Sequence, residues 1–328
     1  MRHGEQDGFE TVVIGSADGA LQATFVPEAG MVCCSLRHEG AELLAQRGGV
    51  RAYAERGSTM GIPLLYPWAN RLAGFSYPAE GGEGGEGGAD GADADRLVEL
   101  PRDSPLLKLD EHGLPIHGVI PSTLAWALLD GGGGGADDQL DAVVRWQRAE
   151  LIEIFPYAHN VRLRARVDRA RLTIATEVEA LEDRAVPVSF GYHPYLSLPQ
   201  GERSTWEVSL PVRERLKLDD RMIPTGAREP FERRSFALAE TSWDDAFAKL
   251  IEPPVFALSA AGRRIELAFD AGYSFAQLYA PRDERFACFE PMTAPTNALV
   301  SRAGLRFAKP GEPFRAAFSI AVSNIVAA

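Results

Sequence analysis

A chain of 328 residues with 45% hydrophobic content can hold one large domain or two ordinary ones, with apolar side chains enough for a sizeable core. Its 46 acidic against 34 basic residues leave a net charge of −12, which argues against a surface built for nucleic acid or an acidic membrane, since both reward clustered Lys and Arg. Three cysteines, Cys33 and Cys34 adjacent and Cys288 distant, argue against a disulfide framework and a cysteine-rich metal site.

No apolar run approaches the roughly 20 residues needed to span a bilayer. Residues 1–7 are polar and carry no signal-peptide pattern, so a soluble, reducing, cytoplasmic setting is expected. Short β-type runs follow at 11–14, 21–26 and 31–36, the first two separated by the turn-like Gly15-Ser16-Ala17-Asp18-Gly19. Residues 41–45 are too short to assign.

The run 61–74 places Leu64 and Leu65 between Pro63 and Pro67, then Trp68, then Asn70-Arg71, and closes on Gly74. The prolines exclude a helix, and the run delivers two polar side chains at the rim of a β-structure. By itself Arg71 reads as a surface arginine. Residues 81–95 and 131–138 are rich in glycine and acid; both read as flexible solvent loops inserted into hairpins, not as phosphate loops or domain linkers. Between them His117 sits in a short apolar run before Gly118, and alone it reads as structural.

Alternating strands are plain at 142–146, 161–167 and 172–178, with Arg162, Arg164 and Arg166 on a solvated face. Next comes Ser189-Phe190-Gly191-Tyr192-His193-Pro194-Tyr195-Leu196. Pro194 biases His193 towards an extended backbone at a strand end or turn, and Phe190, Tyr192 and Tyr195 are candidate pocket walls. A histidine among aromatics is as readily a structural hydrogen bonder. Further strands are expected at 206–210, 265–269 and 275–279, and a turn at 221–226. The pair Asp244-Asp245 lies between Trp243 and Phe247, and the period of two puts Phe286, Cys288 and Glu290 on one face. Glu290 then points with apolar neighbours at a strand end, where desolvation raises a carboxyl pKa. Strands recur throughout with no 20- to 50-residue repeat, so the chain reads as a single all-β domain, a large antiparallel β-sandwich.

Asn70, Arg71, His117, His193, Asp244, Gln277 and Glu290 form the candidate set. No nucleophile elbow or cofactor fingerprint accompanies them, and no short-range spacing supports a metal at His117 and His193. One histidine and one carboxylate suit acid–base chemistry, with the remaining polar groups gripping a polyol.

Pro67-Trp68-Ala69-Asn70-Arg71-Leu72-Ala73-Gly74, Ile116-His117-Gly118, Gly191-Tyr192-His193-Pro194-Tyr195, Asp244-Asp245-Ala246-Phe247 and Cys288-Phe289-Glu290-Pro291-Met292-Thr293 stand in an order that resembles the aldose 1-epimerase (galactose mutarotase) family. The resemblance implies a supersandwich and cofactor-free interconversion of the α and β anomers of a free sugar. It implies Glu290 as the base at the C1 hydroxyl and His193 as the acid at the ring oxygen. Arg71 and His117 would hold sugar oxygens, Asp244 (with Asp245 still open) would bind ring hydroxyls, and Asn70 and Gln277 would assist. The alternatives are a hexose-6-phosphate mutarotase, against which the Asn70-Arg71 ending and the lack of an extra basic cluster speak, and a non-catalytic sugar-binding β domain. A binding domain would need no pair of proton carriers.

Overall fold

A computed structural model describes residues 2–79, 96–129, 137–260 and 262–325. The insert expected at 81–95, and residues 131–136 of the second, lie outside the described residues. Asp137 and Asp138 are described, and their carbonyls accept the amides of Gly15 and Val167 at 2.8 and 2.7 Å.

The chain is all-β and antiparallel. Strands Arg2–Gln6, Phe9–Gly15, Leu21–Val26, Val32–His38 and Ala41–Glu42 form a meander in chain order. A nine-stranded sheet is centred on His159–Asp168, Arg171–Ala180, Phe314–Asn324 and Arg263–Ala271. An eight-stranded sheet runs from Pro224–Pro230 through Val212–Leu218, Trp243–Leu250, Phe275–Ala280 and Ala287–Met292 to Gly191–Tyr192 and Leu64–Leu65, and Tyr195–Leu196 also pairs with Ala287–Met292.

Alternation along these strands assigns their faces. Tyr192, Phe247, Leu278 and Phe289 join Ile174, Leu163, Leu267 and Phe318 in one buried cluster between the two large sheets. Tyr192 meets Phe318 at 4.9 Å and Phe289 meets Phe256 at 5.6 Å between ring centroids. The residues between them, Asp244, Gln277, Cys288 and Glu290, therefore point to the opposite face, and that face carries the candidate site. Arg162 and Arg164 lie on the solvated side of the nine-stranded sheet, where both pair with Asp141.

Several local expectations shift. The turn expected at 221–226 ends at Ile223, whose amide bonds the Asp219 side chain at 2.9 Å, and a strand begins at Pro224. Strand Ala287–Met292 continues two residues past Glu290, so this carboxyl sits within the strand and not at its end. A helix at Gly49–Arg56 follows residues 41–45. Its buried Val50, Tyr53 and Ala54 have helical spacing, and Gly57 closes it with φ 63°. That spacing is legible in the sequence but occupies barely two turns.

Candidate active site

The site is assembled by the run 62–73, which threads between two other segments. Leu64 and Leu65 pair antiparallel with Tyr192 and Gly191, Tyr66 bridges Gly118, Trp68 bridges Ser189, and Arg71 bridges Ile116. The approach at Gly118 is close enough to exclude any side chain: a Cβ there would stand 1.9 Å from the Tyr66 carbonyl oxygen, and φ is +73°. The glycine after His117 thus admits neighbouring backbone. His117 is held by its own amide, which donates to the Asn70 carbonyl at 2.9 Å. Asn70 and His117 both adopt left-handed φ, 56° and 64°, a conformation rare for residues with side chains and kept where surroundings enforce it.

His193 lies in the break between Gly191–Tyr192 and Tyr195–Leu196, as Pro194 suggests, with its amide donating to the Pro63 carbonyl at 3.2 Å. Its Nε2 is 3.2 Å from Glu290 Oε1, and the two side chains are 7% and 2% exposed. Burial raises the Glu290 carboxyl well above its ordinary value, nearby Asp244 raises it further, and Arg71 offsets part. Burial, then the charges of Arg47 and Lys108, push His193 down to about 3. The 3.2 Å contact has the geometry of an ion pair, yet both shifts favour the uncharged partners. Desolvation of both side chains thus weighs against the charged pair.

Three strands bring the other acid and amide alongside. The register opposes Gln277 to Glu290 and to Ala246, and Asp244 to Tyr279. Gln277 Nε2 donates to Asp244 Oδ1 at 2.5 Å. Burial raises the Asp244 pKa against the Gln277 bond and the Arg71 charge. Asp245 falls on the other face and pairs with Arg215 at 3.1 Å. Of the two adjacent acids, Asp244 shares the face with His193 and Glu290.

Arg71 is 8% exposed, unlike an ordinary surface arginine. Its Nε donates to Asp110 Oδ2 at 2.6 Å and its Nη2 lies 3.3 Å from Glu111 Oε1. Asp110 is fixed in turn by the amides of His112 and Leu114, at 2.9 and 2.8 Å on its other oxygen. Burial works against charge on Asp110, but these amides and Arg71 hold its pKa below the ordinary value. His117 stands edge-on to His193 with ring centroids 5.8 Å apart, and burial, His193, Lys108 and Arg71 all drive its pKa well down. Among the described residues, Asn70 Nδ2 meets the Met292 sulfur, at 3.7 Å.

All seven candidates therefore surround one face, and among the described residues His117 Nδ1, Gln277 Oε1 and Glu290 Oε2 find no hydrogen-bond partner. Buried polar atoms left open by the protein are places where a polar ligand or a water can bond. The aromatic walls need revision. Tyr192 bonds Thr176 at 2.6 Å in the inter-sheet core and Phe190 packs against Tyr66 and Tyr273, whereas Tyr195 stacks on His193 at 4.4 Å with an interplanar angle of 3°. Asp110, Thr59 and Arg47, absent from the candidates, also reach the site. Among the described residues, no three or more His, Cys, Asp and Glu side chains gather as a metal would require, and no helix is long and apolar enough to cross a membrane.

Residues 94–321, more than half of the chain, match the family model described as aldose 1-epimerase. Among solved structures, a galactose mutarotase-like protein from Clostridium acetobutylicum has a TM-score of 0.80 at 18% identity, with 99% of this chain and 98% of that one covered. A protein from Synechocystis sp. PCC 6803 has a TM-score of 0.75 at 21% identity, covering 99% and 100%. The galactose 1-epimerase of Lactobacillus acidophilus NCFM has a TM-score of 0.72 at 12% identity, covering 99% and 98%. At these identities the likeness is one of fold. Comparison with curated proteins returns no match.

Proposed function

The chain belongs to the aldose 1-epimerase family, and from that premise we propose that it interconverts the α and β anomers of a free aldose. The observation that carries the reading is the buried His193–Glu290 pair at 3.2 Å, ringed by groups that can grip hydroxyls. Glu290 takes the proton of the C1 hydroxyl. The C1–ring-oxygen bond breaks, its electron pair goes to the ring oxygen, and His193 Nε2 supplies the proton there. The resulting aldehyde turns about C1–C2, and the same two proton transfers in reverse close the ring from the other side.

The opposed pKa shifts support this division of labour. Ring opening requires the shared proton to pass first from Glu290 to His193; it then runs from carboxylate and imidazolium to carboxylic acid and imidazole, so one proton serves the pair throughout. A dry site that favours the uncharged partners makes Glu290 a stronger base and His193 a stronger acid than either is in water. Arg71 and His117 suit oxygens near C1 and the ring, Asp244 with Gln277 suits ring hydroxyls, and Asn70 completes the rim. No cofactor enters this reading.

Purified protein should accelerate the optical-rotation change of fresh α-D-glucose or α-D-galactose at low buffer concentration. A sugar-binding domain without catalysis would show a binding heat and no change in rate. A hexose-6-phosphate mutarotase would reveal itself by preferring the phosphorylated sugar in the same assay.

A further inference from the structure

Arg47 belongs to none of the strands that build the site, yet it reaches the general acid through a single side chain. Its Nη1 donates to the Tyr195 hydroxyl at 3.1 Å and to the Thr59 carbonyl at 3.0 Å. Its guanidinium carbon lies 5.1 Å from the Tyr195 ring centroid and 5.6 Å from that of Phe286. The Tyr195 hydroxyl is 2.6 Å from Thr59 Oγ1 and 3.4 Å from His193 Nε2, while its ring stacks parallel on the imidazole. Among the described residues Arg47 makes no ion pair with a carboxylate, so its charge is not locally neutralised. Its backbone adopts φ 41°, in the left-handed region that long side chains avoid unless the structure requires it.

We propose that Arg47 is a positioning residue for His193, acting through the ring and hydroxyl of Tyr195 and not on the sugar. The proposal rests on the reading of His193 as the general acid. With one Tyr195 lone pair occupied by Arg47 and the hydroxyl also fixed by Thr59, the plate on which the imidazole lies cannot swing. Nε2 is thereby kept between Glu290 and the ring oxygen. Misplacement on the ångström scale at such a point is enough to slow proton transfer severely. The other titratable groups facing His193 are Glu290, His117, Tyr279, whose ring is 5.7 Å away edge-on, and Lys108, whose Nζ is tied to the Gly57 carbonyl at 2.9 Å. Cys288 packs with Tyr195 and Phe286 beneath the plate. Arg47 meets both the hydroxyl and the ring of Tyr195.

The test compares Arg47→Met, Arg47→Lys and Tyr195→Phe with the wild type by polarimetry across pH, with circular dichroism to check folding. In Arg47→Met, kcat should fall about tenfold with KM unchanged, since a tilted acid damages the transition state and not ground-state binding. Loss of the cation raises the proton affinity of the His193–Glu290 pair, so both limbs of the pH profile move to higher pH. Arg47→Lys should restore the profile but not the whole of kcat, and Tyr195→Phe should lower kcat with a smaller change in the profile. A rise in KM alone, or unchanged kcat and limbs in well-folded Arg47→Met, overturns the proposal. Nitrogen NMR of the His193 ring in sugar-free protein is independent of turnover: its titration should move upward in Arg47→Met, and a fixed titration would overturn the link even if the wild type proved inactive. Inactive wild type would instead sink the mutarotase reading.

Discussion

Two buried histidines occupy neighbouring regions of this protein and show opposite designs. His159, on the nine-stranded sheet, is fully enclosed. Its Nδ1 donates to the Tyr157 carbonyl at 2.6 Å, its Nε2 therefore accepts from the Tyr66 hydroxyl at 2.5 Å, and its ring stacks on Trp146 at 5.5 Å. Burial pushes it down to about 4, nearly as far as His193. Depressed basicity thus fails to distinguish a core histidine from a candidate acid. What separates them is the kind of partner: both nitrogens of His159 are bonded to neutral groups of the core, whereas His193 offers Nε2 to a buried carboxyl.

The comparison breaks most sharply at the pair itself. His193→Ala and Glu290→Gln should each lower the mutarotation rate about a thousandfold, as loss of a general acid or base does, with the β-type circular dichroism intact. Full activity in either would return that residue to the class of His159. Replacing the core histidine should do the reverse. His159→Ala removes a packed ring and orphans the Tyr66 hydroxyl, so urea denaturation should register a loss of about 2–4 kcal/mol while kcat per folded molecule holds.

The adjacent acids give a smaller contrast on the same principle. Asp244→Asn should raise KM about tenfold by removing a charged acceptor from the pocket, while Asp245→Asn, on the opposite face, should stay within about twofold. Either result reversed would mean that the register of the Trp243–Leu250 strand has been misread.

Stability against pH gives the subtlest separation. Glu290 has a folded pKa raised above its ordinary 4.5, so its contribution is complete below that value and is lost as pH rises through the folded pKa. Glu290→Gln should therefore melt higher than the wild type near neutrality, with the advantage vanishing below about pH 4. His159 runs the other way. Its folded pKa of about 4 lies below the ordinary 6.5, so the unfolded chain binds the extra proton and stability falls as pH drops from 6.5 towards 4. Melting temperatures of Glu290→Gln and wild type at pH 4, 5 and 7 test the first of these slopes, and a constant difference would contradict it.

How much of this was legible in the chain follows the same division. The all-β class came from alternation, and three of the candidates carried a local signal: Pro beside His193, Gly after His117, and the apolar face that Glu290 shares with Cys288. Periodicity within a strand cannot report the partner strand. The resemblance preferred Asp244 and left Asp245 open until the register with Gln277 and Tyr279 parted them, and Tyr195 parts from Tyr192 only once one faces His193 and the other Thr176. Arg47, Thr59 and Asp110 act across separations of 148, 136 and 39 residues, with no motif around them to mark the contact.

The threading of the 62–73 run bears on how the site comes into being. Asn70 meets Met292 across 222 residues of chain, and Arg71 accepts the amide of Asn297. Contacts so distant in sequence form late, because loop closure must precede them. During synthesis the histidines and Arg71 emerge long before Glu290, and the pocket has no floor until the Ala287–Met292 strand slots beside Phe275–Ala280. Sugar affinity should therefore switch on abruptly along a series of nascent chains, only once Phe314–Asn324, the later central strand of the nine-stranded sheet, has also cleared the ribosome.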